Sequence, residues 1–123
     1  TVSTTEDPTI SRMTIVVDAD ALKLEQVKRQ LDRLIDVIGV QELKEGAFID
    51  RELLLAQVQV NGSQRPAIEE IARRFGAKLA HSSDDGVVLE ATGDTQTLDQ
   101  LVEQLRPHGI AKLVRTGRIA LET

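Results

Sequence analysis

Leu54-Leu55-Ala56-Gln57-Val58-Gln59-Val60-Asn61-Gly62 reads as a strand with Leu54, Ala56, Val58 and Val60 on one face, ended by the Asn-Gly pair. The period then changes. Ile68, Ile71, Ala72 and Phe75 recur at helical spacing behind Pro66, which suits a first turn because its missing N–H has no partner there. Ser63 or Arg65 is the expected cap of this helix and Gly76 its stop. Residues 77–82 return to strand, Ser83-Asp84-Asp85-Gly86 is hairpin-turn chemistry, and 87–91 form the returning strand. Asp94 then caps a second helix carrying Leu98, Leu101, Val102 and Leu105, stopped by Pro107 and Gly109. Ile110, Lys112 and Val114 alternate with Ala111, Leu113 and Arg115 in a last strand, which Thr116-Gly117-Arg118 is expected to turn before Ile119-Ala120-Leu121. Residues 47–123 thus spell strand-helix-strand-strand-helix-strand. This split βαβ pattern predicts an antiparallel four-stranded sheet with two helices on one face.

Upstream, Arg12-Met13-Thr14-Ile15-Val16-Val17 predicts a strand, Glu6-Asp7-Pro8-Thr9 a loop, and Thr1-Val2-Ser3 the end of an earlier strand. Leu24, Val27, Leu31, Leu34, Ile35 and Ile38 form one apolar stripe of an amphipathic helix, with Asp20 as N-cap and Gly39 as the closing residue. The stripe is expected to be core. Val40-Gln41-Glu42-Leu43 predicts a short strand, and Lys44-Glu45-Gly46 a linker. Residues 1–46 therefore spell only the second half of the unit spelled by 47–123, with its opening strand and helix missing and Thr1 lying inside a strand. The expected architecture is α+β: two split βαβ units, 1–46 incomplete and 47–123 complete. A half-sheet with one bare apolar face is not expected to stand alone. The rest of its unit, or a partner, should cover it.

The whole chain has 123 residues, enough for one domain or two very small ones. Its hydrophobic share of 41% and charged share of 28% are ordinary globular values, which argues against a disordered chain. Fifteen Lys and Arg stand against 20 Asp and Glu, giving −5 with no basic block, so a nucleic-acid partner is not expected. Phe48 and Phe75 are the only aromatic residues, too few for base stacking. The absence of cysteine removes disulfides, thiolate metal sites and thiol nucleophiles. Apolar runs are only a few residues long, no secretory pattern opens the chain, and no membrane partner is expected.

Chemistry-bearing residues are sparse. His81 and His108 lie far apart with no acidic partner at ligand spacing, and Asp84-Asp85 is explained by its turn, so no metal site is expected. No nucleophile-elbow pattern occurs, and no catalytic residue is assigned. Gly76, Gly86, Gly93 and Gly109 are each accounted for by caps or turns rather than by a phosphate loop. Arg106, Lys112, Arg115 and Arg118 make the last stretch locally basic. A charged edge strand discourages aggregation; the functional alternative is a docking surface for an acidic patch.

Thr5-Glu6-Asp7-Pro8-Thr9-Ile10-Ser11-Arg12-Met13-Thr14-Ile15-Val16-Val17 resembles the middle of the small regulatory subunit of acetohydroxyacid (acetolactate) synthase. Leu24-Glu25-Gln26-Val27, Gln30-Leu31, Leu34-Ile35-Asp36-Val37-Ile38 and Arg51-Glu52-Leu53-Leu54-Leu55 continue the match in order. So do Phe75-Gly76-Ala77-Lys78, Glu90-Ala91-Thr92-Gly93 and Arg115-Thr116-Gly117-Arg118-Ile119-Ala120-Leu121. The resemblance implies an ACT domain, here only its C-terminal part, followed by a second ferredoxin-like domain. It implies a homodimer through ACT domains with a branched-chain amino acid, usually valine, bound at that interface. The implied partner is the catalytic large subunit, which this chain would activate and make inhibitor-sensitive in valine, leucine and isoleucine biosynthesis. Thiamine diphosphate, Mg²⁺ and FAD are expected on that partner and no cofactor on this chain. The implied location is the cytoplasm, or the plastid or mitochondrial matrix in a eukaryote. The family's effector loop and its Asn-Ile-Glu-Ser segment have no counterpart in the chain, which leaves Thr1 and Ser3 as the effector-binding neighbourhood.

Two rival readings come from other classes. A stand-alone amino-acid-binding ACT module controlling another enzyme or a transcription factor would not carry the second domain's ending. A small plait enzyme of the acylphosphatase type would need an anion cradle after its first strand, where Asn61-Gly62-Ser63-Gln64-Arg65 offers Asn and Arg. Turn chemistry also explains that segment.

Overall fold

The central strand of the C-terminal half is β3 (Phe48–Gln59), and its alternation decides what is inside. Leu54, Ala56 and Val58 are fully buried while every second residue between them reaches solvent, the signature of a sheet covered on one side. In a computed structural model describing residues 1–123, β3 pairs antiparallel with β5 (Gly86–Gly93) and with β6 (Ile110–Arg115), and β5 pairs antiparallel with β4 (Lys78–Ser82). The order β4-β5-β3-β6 is the sheet of a ferredoxin-like βαββαβ unit. Helices α2 (Arg65–Arg74) and α3 (Thr95–Leu105) close the covered face: Ile68, Ile71, Leu98, Leu101 and Leu105 join Leu54, Val58, Val87 and Leu89 in one core.

Local chemistry sets the ends of these elements. Asp94 accepts a hydrogen bond from the Thr97 N–H at 2.8 Å and so caps α3 as expected. The cap of α2 is Gln64, not Ser63 or Arg65, and no side chain bonds to its free N–H groups; Pro66 removes one of them. At its other end the Ala77 N–H reaches the Ala72 carbonyl and the Gly76 N–H reaches that of Arg73. This pair of bonds requires the left-handed conformation that Gly76 adopts (φ +65°).

The chain does not reverse at Thr116-Gly117-Arg118. Thr116 donates to the Leu53 carbonyl and Thr123 to that of Ala47, so β7 (Ile119–Glu122) continues alongside β3 in the direction of β6. Gly117 (φ +79°) sits in the short break between the two strands.

The chain divides into two compact units: Asp50–Ile119 with Thr1, and Val2–Ile49 with Ala120–Thr123. The N-terminal stretch differs from expectation. β1 (Val2–Thr4) pairs antiparallel with β2 (Ser11–Met13), Ser3 opposite Arg12, but the strand stops at Met13 rather than Val17. With one three-residue neighbour, β2 has no further ladder, and β-branched composition alone does not hold a strand. Helix α1 (Ala21–Asp32) starts at Asp20, which accepts from the Lys23 N–H at 2.9 Å, but ends at Asp32, six residues before Ile38. Leu34 and Val37 close only single turns beyond it, so Gly39 caps nothing, and Val40–Leu43 form no strand. The common cause is packing. No residue before Glu52 is fully buried; of the stripe expected to be core, Leu24, Val27 and Leu31 are half-buried, while Leu34, Ile35 and Ile38 are exposed and give the helix nothing to extend along.

Leu101→Ala should therefore cost about 2–5 kcal/mol in urea unfolding, the range for emptying a packed core site. Leu34→Ala should stay within about 0.5 kcal/mol of the parent.

Candidate functional site

The even-numbered face of β3 changes character at its start. Glu52 lies in phase with Leu54, Ala56 and Val58 and is only 7% exposed, so its carboxylate needs a partner. Arg115, at the end of β6, donates to Glu52 at 2.8 Å and to Asp99 on α3 at 2.6 Å, and a third bond reaches the Thr95 carbonyl at 3.5 Å. Asp99, then the pairing with Glu52, pushes the guanidinium pKa above its ordinary value against the opposing effect of burial. One residue pair further along, Arg118 donates to Asp50 at 2.8 Å. These contacts tie β3, β6 and α3 together at one end of the sheet. The cluster is a clamp: every cation in it already holds an acid of the same chain.

Most of the cations of the basic stretch are engaged within the chain. Arg106 pairs with Glu103 at 2.9 Å, Arg115 with Glu52 and Asp99, and Arg118 with Asp50, which leaves only Lys112 of the four outside an ion pair. The sequence carried one clue to the clamp, namely a carboxylate in the apolar phase of β3, but its partner lies 63 residues away.

The other marked residues are dispersed. His81 is exposed on the edge strand β4, and His108 sits in a 3-10 turn (Arg106–His108) after α3. No group of three or more His, Asp or Glu side chains is placed to hold a metal ion. Arg65 is spent on the hairpin, donating to Ser82 Oγ at 2.7 Å and to the Ser83 carbonyl. It therefore does not serve an anion cradle at Asn61–Arg65. A shallow open depression of about 220 Å³ beside Gln57, Gln59, His81 and Asp85 lies on the sheet face away from the helices. Of the effector neighbourhood, the Thr1 hydroxyl donates to the Arg118 carbonyl at 2.6 Å, while Ser3 lies in β1 opposite Arg12.

The two parts of the chain match two family descriptions in order: residues 1–39 match the AHAS small subunit-like ACT domain, and residues 51–123 the small subunit of acetolactate synthase. The chain belongs to the acetolactate synthase small-subunit family. It is 40% identical over 121 residues to a probable acetolactate synthase small subunit of Archaeoglobus fulgidus, covering 98% of this chain and 76% of that one. It is 37% identical to the acetolactate synthase small subunit of Mycolicibacterium smegmatis, covering 98% and 71%. Its fold matches the crystal structure of the Thermotoga maritima small subunit with a TM-score of 0.92 at 25% identity, over 99% of this chain and 76% of that one.

The clamp is testable in a family member because its energetics are one-sided. Arg115→Met leaves the buried Glu52 carboxylate unpaired and should cost about 2–4 kcal/mol in chemical denaturation, somewhat below a fully buried pair because Arg115 is part-exposed. Adding Glu52→Gln should recover part of the loss.

Acid should act on the α3 cap. The Thr97 backbone N–H, then its side chain, holds the Asp94 carboxyl below its ordinary 3.8. A folded-state pKa below the unfolded one gives stability that is present above pH 3.8 and lost as pH falls through the folded value. Asp94→Asn keeps a capping oxygen but cannot titrate. Thermal melts below that pH should show a shallower acid loss for the variant than for the parent.

Proposed function

We propose that this chain is the non-catalytic regulatory subunit of acetohydroxyacid synthase. In this reading it docks on the catalytic large subunit, raises its activity and confers feedback inhibition by a branched-chain amino acid, with valine as the effector. Membership of the small-subunit family, with both parts matched in order along the chain, is the observation that carries the proposal. Thiamine diphosphate, Mg²⁺ and FAD are assigned in this reading to the catalytic partner.

The N-terminal unit supports a role that needs a second surface. Its apolar side chains, among them Met13, Ile15, Val16 and Leu22, remain exposed, and no residue of it is fully buried. Pairing with a second copy through the ACT portion, residues 1–46 in the division expected from sequence, would cover that surface. Residues 47–123 would be the second domain. An amino acid bound where two such units meet favours one arrangement only through its higher affinity for it. Coupling of this kind amounts to about 1–3 kcal/mol and is reciprocal: whatever valine does to the affinity for the catalytic subunit, that subunit does to the affinity for valine. Thr1 and Ser3, at the start of β1, are the proposed effector-side residues.

The protein in its full native sequence, added to its cognate catalytic subunit, should raise acetolactate formation, and valine should then lower it. No effect on the rate would refute the proposal. Ser3→Ala or Thr1→Val should weaken valine inhibition by about fivefold or more with activation retained, in line with the usual range of coupling. Unchanged valine sensitivity in both variants would remove these two residues from the effector site.

A further inference from the structure

The chain has one asparagine, Asn61, and a glycine follows it between β3 and α2. A glycine in such a turn usually serves a left-handed backbone or a close approach. Gly62 serves neither. Its φ lies outside the left-handed region, which only Gly46, Gly76, Gly109 and Gly117 occupy, and a Cβ there would meet nothing within 4 Å. Asn61, Gly62 and Ser63 are all exposed. The Asn61 carbonyl accepts from the Gln64 N–H at 3.0 Å, which bends the chain over Gly62 and Ser63, while the Gly62 N–H bonds to no group of the chain. On the Asn61 side chain, Oδ1 accepts from the Ser63 hydroxyl at 3.4 Å, and Nδ2 bonds to no group of the chain.

We propose that Asn61-Gly62 is a site of self-modification, where the chain converts its asparagine to aspartate and isoaspartate. The Gly62 nitrogen attacks Cγ of Asn61. The N–Cγ bond forms, the Cγ–Nδ2 bond breaks, and Nδ2 leaves as ammonia with the proton that the Gly62 nitrogen gives up. One solvent water then opens the resulting five-membered imide at either carbonyl. Cleavage at Cγ gives aspartate and cleavage at the main-chain carbon gives isoaspartate, with one water consumed and one ammonia released overall. The step needs a free attacking N–H, a leaving group without partners and no Cβ at position 62, and all three are present. Both products add a carboxylate beside the N-terminal end of α2, which no side chain caps. In isoaspartate the main chain also runs through the side-chain carbons, and the carbonyl that held Gln64 becomes part of that carboxylate.

Asp85-Gly86 carries a related pair, a carboxyl before glycine, in the opposite setting. Gly86 is half-buried and paired with Gln59, and a Cβ on it would stand 2.8 Å from the Val58 carbonyl oxygen. The Asp85 carbonyl holds the Val60 N–H at 3.0 Å. The sheet therefore locks that pair and leaves the one at 61 open. The inference does not depend on the regulatory reading.

The whole chain, kept folded in warm, mildly alkaline buffer, should gain the mass that separates an acid from an amide, and peptide mapping should place the gain at position 61. Isoaspartyl methyltransferase with a labelled methyl donor should label the same peptide and not the one carrying Asp85. Gly62→Ala should slow the conversion about tenfold or more with the urea midpoint unchanged, because its Cβ crowds ring closure but touches nothing in the fold. Asn61→Ser should abolish the conversion. The proposal is overturned if the folded chain stays unconverted while a free peptide of residues 58–66 converts, or if the label maps to Asp85 instead of position 61. It is equally overturned if Gly62→Ala leaves the rate unchanged or Asn61→Ser still gains the mass.

Discussion

Burial of the even-numbered face of β3 is the constraint from which the rest follows. Leu54, Ala56 and Val58 meet Val87, Leu89 and Ala91 of β5 on one side of the sheet, and Ile68, Leu98, Leu101 and Leu105 descend on them from the helices. Each fully buried leucine contributes on the order of 1.5–3 kcal/mol. A strand has a period of two, so a slip of one residue would send the whole set to solvent. The register is thereby fixed, and with it the pairing of β6 and the meeting of Arg115 with Glu52. The opposite face, with Leu53 and Leu55, is fixed by the same alternation.

How far the sequence could be read depends on where each element finds its packing partner. In the C-terminal half, pattern and partner coincide. The period-2 run at 54–60, the helical stripes at 68–75 and 98–105, the Asp94 cap and the hairpin at 83–86 all stand as expected, because each apolar face has a buried counterpart in the same unit. In the N-terminal stretch the pattern was present but its packing partner only in part, so Leu24, Val27 and Leu31 are half-buried and Leu34, Ile35 and Ile38 exposed. The stripe running to Ile38 promised a longer helix than the one that ends at Asp32, since amphipathic helices gain most of their stability from what they pack against. Thr116-Gly117-Arg118 carries turn chemistry, yet β7 goes straight on, because β3 is long enough to pair with both β6 and β7. Long-range ion pairs were the least legible. Glu52 is a carboxylate in the apolar phase of β3, but nothing local points to its partner Arg115.

The two units therefore differ in kind. Asp50–Ile119 has a closed core and an internal clamp that satisfies its buried charge. Val2–Ile49 has elements capped by Asp20 and ordered locally by Asp7, whose carboxylate accepts from the Thr9 hydroxyl at 2.7 Å, but it has no buried residue. A unit of that sort has low local stability and gains it from whatever covers it.

Native-state hydrogen exchange on the chain alone tests that asymmetry most directly. Amides of β3, β5 and α3 should exchange only through global unfolding, while those of β1, β2 and α1 should exchange orders of magnitude faster through local opening. Protection of α1 equal to that of β3 would contradict the division into one self-sufficient and one dependent unit.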